Sequence, residues 1–309
     1  MLTRRTILSA AFAAPNPRAS ILQAMQQVMG PLPPRPSTPP AIQLLHETRQ
    51  PAYTRRKLRY EAEPGDFVPA WLLIPHASPK LPAVLCLHQT TRIGKDEPAG
   101  LGGKPNLHYA HELAEQGFLT LAPDYPNFGE YSFDPYSRGY LSATMKGIFN
   151  HIRAIDILSS LPQVDPRRIA VCGHSLGGHN SLFVAAFDTR IRAAVTSCGF
   201  TSFPKYYNGN LTGWSHKGYM PRIAEIYNKD PKRMPFDFPA VLQAIAPRAV
   251  FINAPTSDSN FDVSGVADCV RAARPFFPPG KLTAAYPNAA HDFPPAIRRE
   301  AYAYLQRIL

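Results

Sequence analysis

From residue 54 onward, short apolar runs alternate with longer stretches whose apolar positions recur at helical spacing. Residues 54–60 and 67–74 flank Glu63-Pro64-Gly65-Asp66 and predict an antiparallel hairpin. Residues 83–88, 118–122, 169–173, 193–198, 249–254 and 282–286 have the length and continuous apolar character of buried strands. Between and after them, residues 106–116, 140–161, 177–187, 263–273 and 294–309 predict helices, with Gly117 and Pro162 as stops for the first two. Strands that are apolar on both faces need helices on both sides, so the alternation predicts an α/β domain with a mostly parallel sheet. Residues 200–246, rich in proline and aromatics, break the rhythm and predict an insertion placed as a cap near the strand ends. Before residue 41 prolines crowd the chain (Pro31, Pro33, Pro34, Pro36, Pro39, Pro40), which predicts an extended arm outside the core. The expected organisation is an arm over 1–40 and one domain over 41–309.

At 309 residues with 45% hydrophobic content, the chain can bury one large core. No apolar run reaches the roughly 18–20 residues that a membrane-spanning helix requires, so no membrane partner is expected. The net charge of +11 is scattered. Its densest cluster, Arg55-Arg56-Lys57 with Arg59, is short and reads as a solvated strand face, so no nucleic-acid partner is expected either. Cys86, Cys172 and Cys198 sit inside apolar runs, and none of the four cysteines has Cys-x-x-Cys spacing or metal-ligand neighbours close in sequence. Neither a disulfide framework nor a metal is expected. At the N-terminus, Thr3-Arg4-Arg5-Thr6-Ile7-Leu8 and the triplet Ala11-Phe12-Ala13 resemble a twin-arginine export signal, which predicts a periplasmic or secreted protein. The apolar stretch over 7–14 is short for a signal, and a cytoplasmic protein with a basic terminus is the alternative.

Candidate chemistry centres on Gly173-His174-Ser175-Leu176-Gly177-Gly178, which directly follows the strand-like Ile169-Ala170-Val171-Cys172. Glycines two residues before and after a serine, between a strand and a helix, describe a nucleophile elbow: side chains there would collide across the tight turn. A serine hydroxyl needs a base, and His291 is the one histidine beyond the last strand, on a loop of small residues before the final helix. The acid that orients it belongs after the strand at 249–254, where Asp258 is the candidate and Asp262 the substitute. An oxyanion needs backbone donors. Leu176 supplies one, and Gln89 or Thr90, in His88-Gln89-Thr90-Thr91, the other; His88 itself reads as structural.

Taken together, Leu85-Cys86-Leu87-His88-Gln89-Thr90, Gly94-Lys95, Ala122-Pro123-Asp124-Tyr125, the elbow, Asp258 and His291 resemble the α/β-hydrolase superfamily over roughly residues 50–309. The nearest likeness is to its dienelactone-hydrolase-like and acetyl-xylan-esterase-like branch, which also includes the catalytic domains of prolyl-oligopeptidase-type peptidases. Two departures stand out. Dienelactone hydrolases carry a cysteine nucleophile where this chain has Ser175, and many relatives have His-Gly-Gly where it has His-Gln-Thr. The resemblance implies a serine carboxylic-ester hydrolase that works through an acyl-enzyme on a small or carbohydrate-linked ester, without metal or organic cofactor. A serine peptidase and a non-catalytic binding protein on the same fold are the alternatives. For the peptidase, the arm before residue 41 is too short to hold a gating propeller.

Other motifs in the chain carry weaker signals. Gly94-Lys95 and Gly103-Lys104 lack the Ser/Thr that a phosphate loop requires. His108, His111 and Glu112 lie off the apolar stripe of their helix and read as surface groups. Tyr125, Trp214, Tyr219 and Arg222 are the expected substrate-pocket residues: aromatic faces stack on sugar or aryl groups, and Arg222 or Lys217 could hold a carboxylate.

Overall fold

A computed structural model describes residues 17–77 and 80–309; the twin-arginine-like stretch lies outside these residues. The chain runs through α1 (Pro17–Met29), β1 (Ile42–Arg49), β2 (Tyr53–Glu63), β3 (Asp66–Pro75), β4 (Leu81–Leu87), α2 (Tyr109–Glu115) and β5 (Leu119–Pro123). It continues through α3 (Ala143–Ser160), β6 (Val164–His174), α4 (Leu176–Phe187), β7 (Ile191–Ser197), α5 (Arg222–Glu225) and α6 (Phe238–Ile245). The last elements are β8 (Ala249–Asn253), α7 (Val263–Ala273), β9 (Leu282–Ala285) and α8 (Pro295–Ile308). The strands form one sheet in the order β1-β2-β3-β5-β4-β6-β7-β8-β9. Pairings from β1 to β5 are antiparallel, and those from β5 through β9 are parallel. This is the predicted α/β architecture.

Strand periodicity explains the two cores. Leu85, Leu87, Ile169 and Val171 face the layer that contains residues of α3, α4, α6 and α7. Their neighbours Val84, Cys86, Ala170 and Cys172 face the opposite layer, with α2 and α8. All four cysteines are buried and free. On β2 the basic cluster is partly neutralised: Arg56 pairs with Glu47 at 2.5 Å, Lys57 pairs with Glu130 at 2.6 Å, and Arg55 lies 5.5 Å over the Trp71 ring. Among the described residues, no helix is long and apolar enough to cross a membrane.

Three elements differ from expectation. Part of the supposed arm is the helix α1, whose Met25, Val28 and Met29 are fully buried. Ile21, Leu22, Met25, Val28 and Met29 recur at helical spacing, Pro17 occupies the first turn where no N–H is needed, and Gly30 ends the helix at φ 93°. The prolines beyond it do lie on an extended strap, held where Arg153 donates to the carbonyls of Pro36 (3.1 Å) and Thr38 (2.7 Å). The edge strand β1 was not anticipated, because Leu44 and Leu45 are both exposed and no one-sided pattern marks it. Within the insertion, Phe238 opens the unanticipated α6 and stacks on Phe183 of α4 at 5.9 Å, fixing the segment to the helix that follows Ser175.

Candidate active site

Ser175 sits between β6 and α4 at φ 52°, ψ −115°, a backbone conformation that L-residues rarely hold. Its N–H donates to the Ser197 carbonyl at 2.8 Å, which ties the turn to β7. The flanking glycines are required by close approach. A Cβ on Gly173 would stand 2.2 Å from the Gly177 carbonyl oxygen, and one on Gly177 would stand 1.8 Å from that of Leu87. The elbow is therefore wedged against the end of β4, where the other half of the site begins.

His291 follows β9 and turns Nδ1 to both oxygens of Asp258, at 2.9 and 3.0 Å. The Asp258 side chain is 1% exposed. Burial pushes its carboxyl up, but the His291 contact, the Asn260 N–H at 2.8 Å and the Cys198 thiol outweigh burial and hold it below the usual carboxylate range. Asp262, the substitute, is committed elsewhere: its Oδ1 accepts from the N–H (2.7 Å) and hydroxyl (2.6 Å) of Ser264 and caps α7. With Nδ1 occupied, Nε2 is the nitrogen left to exchange a proton. Ser175 and His291 line the same cavity, of about 280 Å³, and no direct hydrogen bond joins them among the described residues.

Leu176, Gln89 and Thr90 line that cavity too, and none of their N–H groups has a backbone partner among the described residues. The loop that carries Gln89 and Thr90 is anchored from behind. His88 donates from Nδ1 to the Gln89 carbonyl (2.6 Å) and accepts the Tyr125 N–H at Nε2 (2.9 Å), which sets one tautomer. Burial lowers its pKa, so the ring is a neutral structural spacer, as expected. Further along, the fully buried Lys95 ammonium reaches Asp124 at 2.8 Å and Glu130 at 2.7 Å, while the Lys95 N–H donates to the other Asp124 oxygen.

Of the expected pocket residues, Trp214 and Tyr219 line the cavity and two do not. Tyr125 is 2% exposed, lies behind Leu176 and Phe128, and donates its hydroxyl to the Gly218 carbonyl at 3.1 Å. Arg222 points away, donating to the Gln27 carbonyl of α1 at 3.0 Å. Tyr206 and Gly213 of the insertion line the cavity as well, and His179, Asn260 and Phe261, which were not anticipated, complete the wall. One signal was available for His179: it lies four residues after Ser175 on α4, hence on the same helix face. Burial pushes its pKa down to about 3, so it presents a neutral ring beneath Trp214. Among the described residues no Lys, Arg, Asp or Glu lines this cavity. His108, His111 and Glu112 do not converge on a metal: His111 meets the Tyr53 hydroxyl at 2.8 Å, and Glu112 forms a two-pronged pair with Arg298.

The chain is similar to several known esterases and related proteins. The sequence profile of the family described as "Glucuronyl esterase, fungi" matches residues 133–278, just under half of the chain, including the elbow and Asp258. The quorum-quenching protein AidA of Acinetobacter baumannii is 30% identical over 105 residues, 33% of this chain and 34% of that protein. Carbohydrate esterase MZ0003, from an unknown prokaryotic organism, is 28% identical over 123 residues, 36% of this chain and 27% of that protein. The chain thus spans about a third of the curated relatives it matches. A solved glucuronoyl esterase from Solibacter usitatus superposes with a TM-score of 0.73 at 16% identity, over 94% of this chain and 91% of that one. The sheet order, the strained serine after β6 and these likenesses lead to one assignment: the chain has the α/β-hydrolase fold.

Proposed function

We propose that the protein is a serine carboxylic-ester hydrolase acting on a carbohydrate-linked ester. The observation that carries this is the His291–Asp258 pair, held at 2.9 Å, opening on the same cavity as the strained Ser175. Ser175 Oγ attacks the acyl carbon and passes its proton to His291 Nε2, while Asp258 holds Nδ1–H and offsets the imidazolium charge. Leu176 and either Gln89 or Thr90 donate N–H groups to the oxyanion. The alcohol leaves with the proton from His291; water then attacks the acyl-enzyme by the same route in reverse. The carbohydrate part of the proposal rests on the esterase likenesses and on a wall of Trp214, Tyr206 and Tyr219 next to amide, imidazole and hydroxyl groups. With Arg222 turned away, no Lys or Arg among the described residues lines the cavity to hold a free carboxylate, which favours a neutral ester.

The test is a panel of p-nitrophenyl esters, a methyl ester of glucuronic acid, acetylated xylo-oligosaccharides and aminoacyl anilides. Ester turnover that falls at least ~10³-fold in Ser175→Ala is expected. Anilide cleavage without ester turnover would make the protein a peptidase. Failure of a fluorophosphonate to label Ser175 would remove any serine-hydrolase function. The Arg4-Arg5 pattern further supports export to the periplasm or beyond. Replacing both arginines by lysine should retain a reporter fusion in the cytoplasm.

A further inference from the structure

Beside His291 lie two side chains, His174 and Cys198, that the proposed esterase mechanism leaves unused. His174, Cys198 and His291 come from β6, the end of β7 and the last loop, and each offers one ligand atom, all within 4.8 Å of one another. The His174 and His291 rings meet edge to face with centroids 4.8 Å apart. His174 is fully buried, its Nδ1 is bonded to Ser197 Oγ at 2.9 Å, and its Nε2 is buried with no partner. Buried imidazole nitrogens are ordinarily satisfied, so an unmatched one beside a thiol and a second imidazole needs an explanation. Ser197 Oγ in turn accepts from Asn253 Nδ2 at 2.8 Å. This chain orients the His174 ring as a metal-bound imidazole is oriented by its outer partners. With Nδ1–H donated to Ser197, Nε2 carries the lone pair. Cys198 is held at φ 47°, and its thiol lies 3.3 Å from the Asp292 carbonyl and in contact with Asp258.

The geometry points to an inhibitory site for a zinc-class divalent cation, ligated by His174 Nε2, the Cys198 thiolate and one imidazole nitrogen of His291. Two imidazoles and one thiolate are ligands that Zn²⁺ accepts in tetrahedral sites, with the fourth position left for water. Ligands at about 2.0–2.3 Å from the ion stand about 3.3–3.8 Å apart, so a contraction of roughly 1 Å closes the shell. Binding expels one proton, from Cys198 to solvent. It also switches off the proposed chemistry. A neutral imidazole has one lone pair: once the metal takes it, the other nitrogen carries the proton, and His291 can no longer accept the Ser175 proton. The inhibitory consequence rests on the esterase function proposed above; the metal site itself does not.

The experiment separates the two. Full-length Ser175→Ala, freed of metal with EDTA and dialysed, is titrated with Co²⁺. A thiolate-to-cobalt charge-transfer band should appear, bleach on addition of Zn²⁺, and be lost in Ser175→Ala/Cys198→Ala. Ser175→Ala/His174→Gln should bind Co²⁺ at least ~10-fold more weakly. Thermal melts confirm that each variant is folded, and the cysteine variant stands alone if the histidine variant is not. In the active protein, micromolar Zn²⁺ should suppress ester turnover at least ~10-fold, with recovery on adding EDTA. Cys198→Ala, measured against its own zinc-free rate, should lose most of that sensitivity. No charge-transfer band in Ser175→Ala, or one that survives Cys198→Ala, would overturn the site. Cobalt binding without any ester turnover would leave the site standing and remove the esterase.

Discussion

At the residue scale, Asp258 and Asp262 are separated by four positions and by entirely different work. Asp258 faces His291 with both oxygens, whereas Asp262 accepts two hydrogen bonds from Ser264 at the start of α7. Asp258→Asn should therefore lower kcat by roughly 10³–10⁴-fold, because an amide no longer enforces the tautomer that leaves Nε2 free. Asp262→Asn should leave kcat within about twofold, since asparagine caps a helix nearly as well as aspartate. Equal losses in the two variants, read as kcat on one chromogenic ester, would remove Asp258 from the triad. These residues were legible in the sequence for a topological reason. A nucleophile between two glycines is a local pattern, and the acid and base follow it in chain order after successive strands. Pocket residues have no such rule. Tyr125 and Tyr219 are both aromatic and both near the serine, but the Tyr125 ring is wedged against Gly147, where a Cβ would meet it at 2.4 Å. No sequence pattern distinguishes a tyrosine that lines a cavity from one that backs it.

At the element scale, the insertion depends on the cap of α6. Asp237 accepts the N–H groups of Phe203 at 3.1 Å and Phe238 at 2.7 Å, so one carboxyl joins the start of the insertion to its end. Burial pushes its pKa up to about 6, and those two hydrogen bonds pull it back only in part. A carboxyl with a raised folded-state pKa favours the protonated native state. Its contribution is fully present below its unfolded value near 4 and is lost as pH rises through about 6. Two units correspond to about 3 kcal/mol. Asp258, whose pKa is depressed, acts oppositely and only at more acidic pH, so the two windows do not overlap. Urea unfolding of wild type and Asp237→Asn should show wild type losing stability relative to the variant by up to about 2 kcal/mol between pH 4.5 and 7. A constant difference across that range would show that this cap does not titrate. The elements flanking the insertion could be read from their periodicity, but α6 could not: Pro239 sits at its first turn amid a run of breakers, where proline is permitted but reads as loop.

At the scale of the whole molecule, parallel strands gather the site at one end of the sheet. His88, Ser175, Asp258 and His291 follow β4, β6, β8 and β9 in turn, so residues spread over two hundred positions meet above the carboxyl ends of the strands. The crevice at the other end of α4, about 440 Å³ and lined by Arg35, Asp188 and Arg190, is larger than the cavity beside Ser175, and no serine, cysteine or histidine lines it among the described residues. What the sequence concealed at this scale is how the N-terminal segment joins the site. Helix α1 packs on α5 and α6, and its Gln27 carbonyl receives Arg222, so it supports the insertion from beneath rather than trailing as an arm. Prolines on both sides obscured five apolar residues at helical spacing. Met25 is fully buried, and Met25→Ala should cost about 2–5 kcal/mol. Because α1 touches the insertion and not Ser175, the damage should fall on substrate binding: KM for a sugar ester should rise several-fold more than kcat falls, and limited proteolysis should cut first within 200–246. A variant that melts like wild type, or that loses kcat while KM and the proteolytic pattern stay unchanged, would mean that α1 is packed on the domain without supporting its pocket.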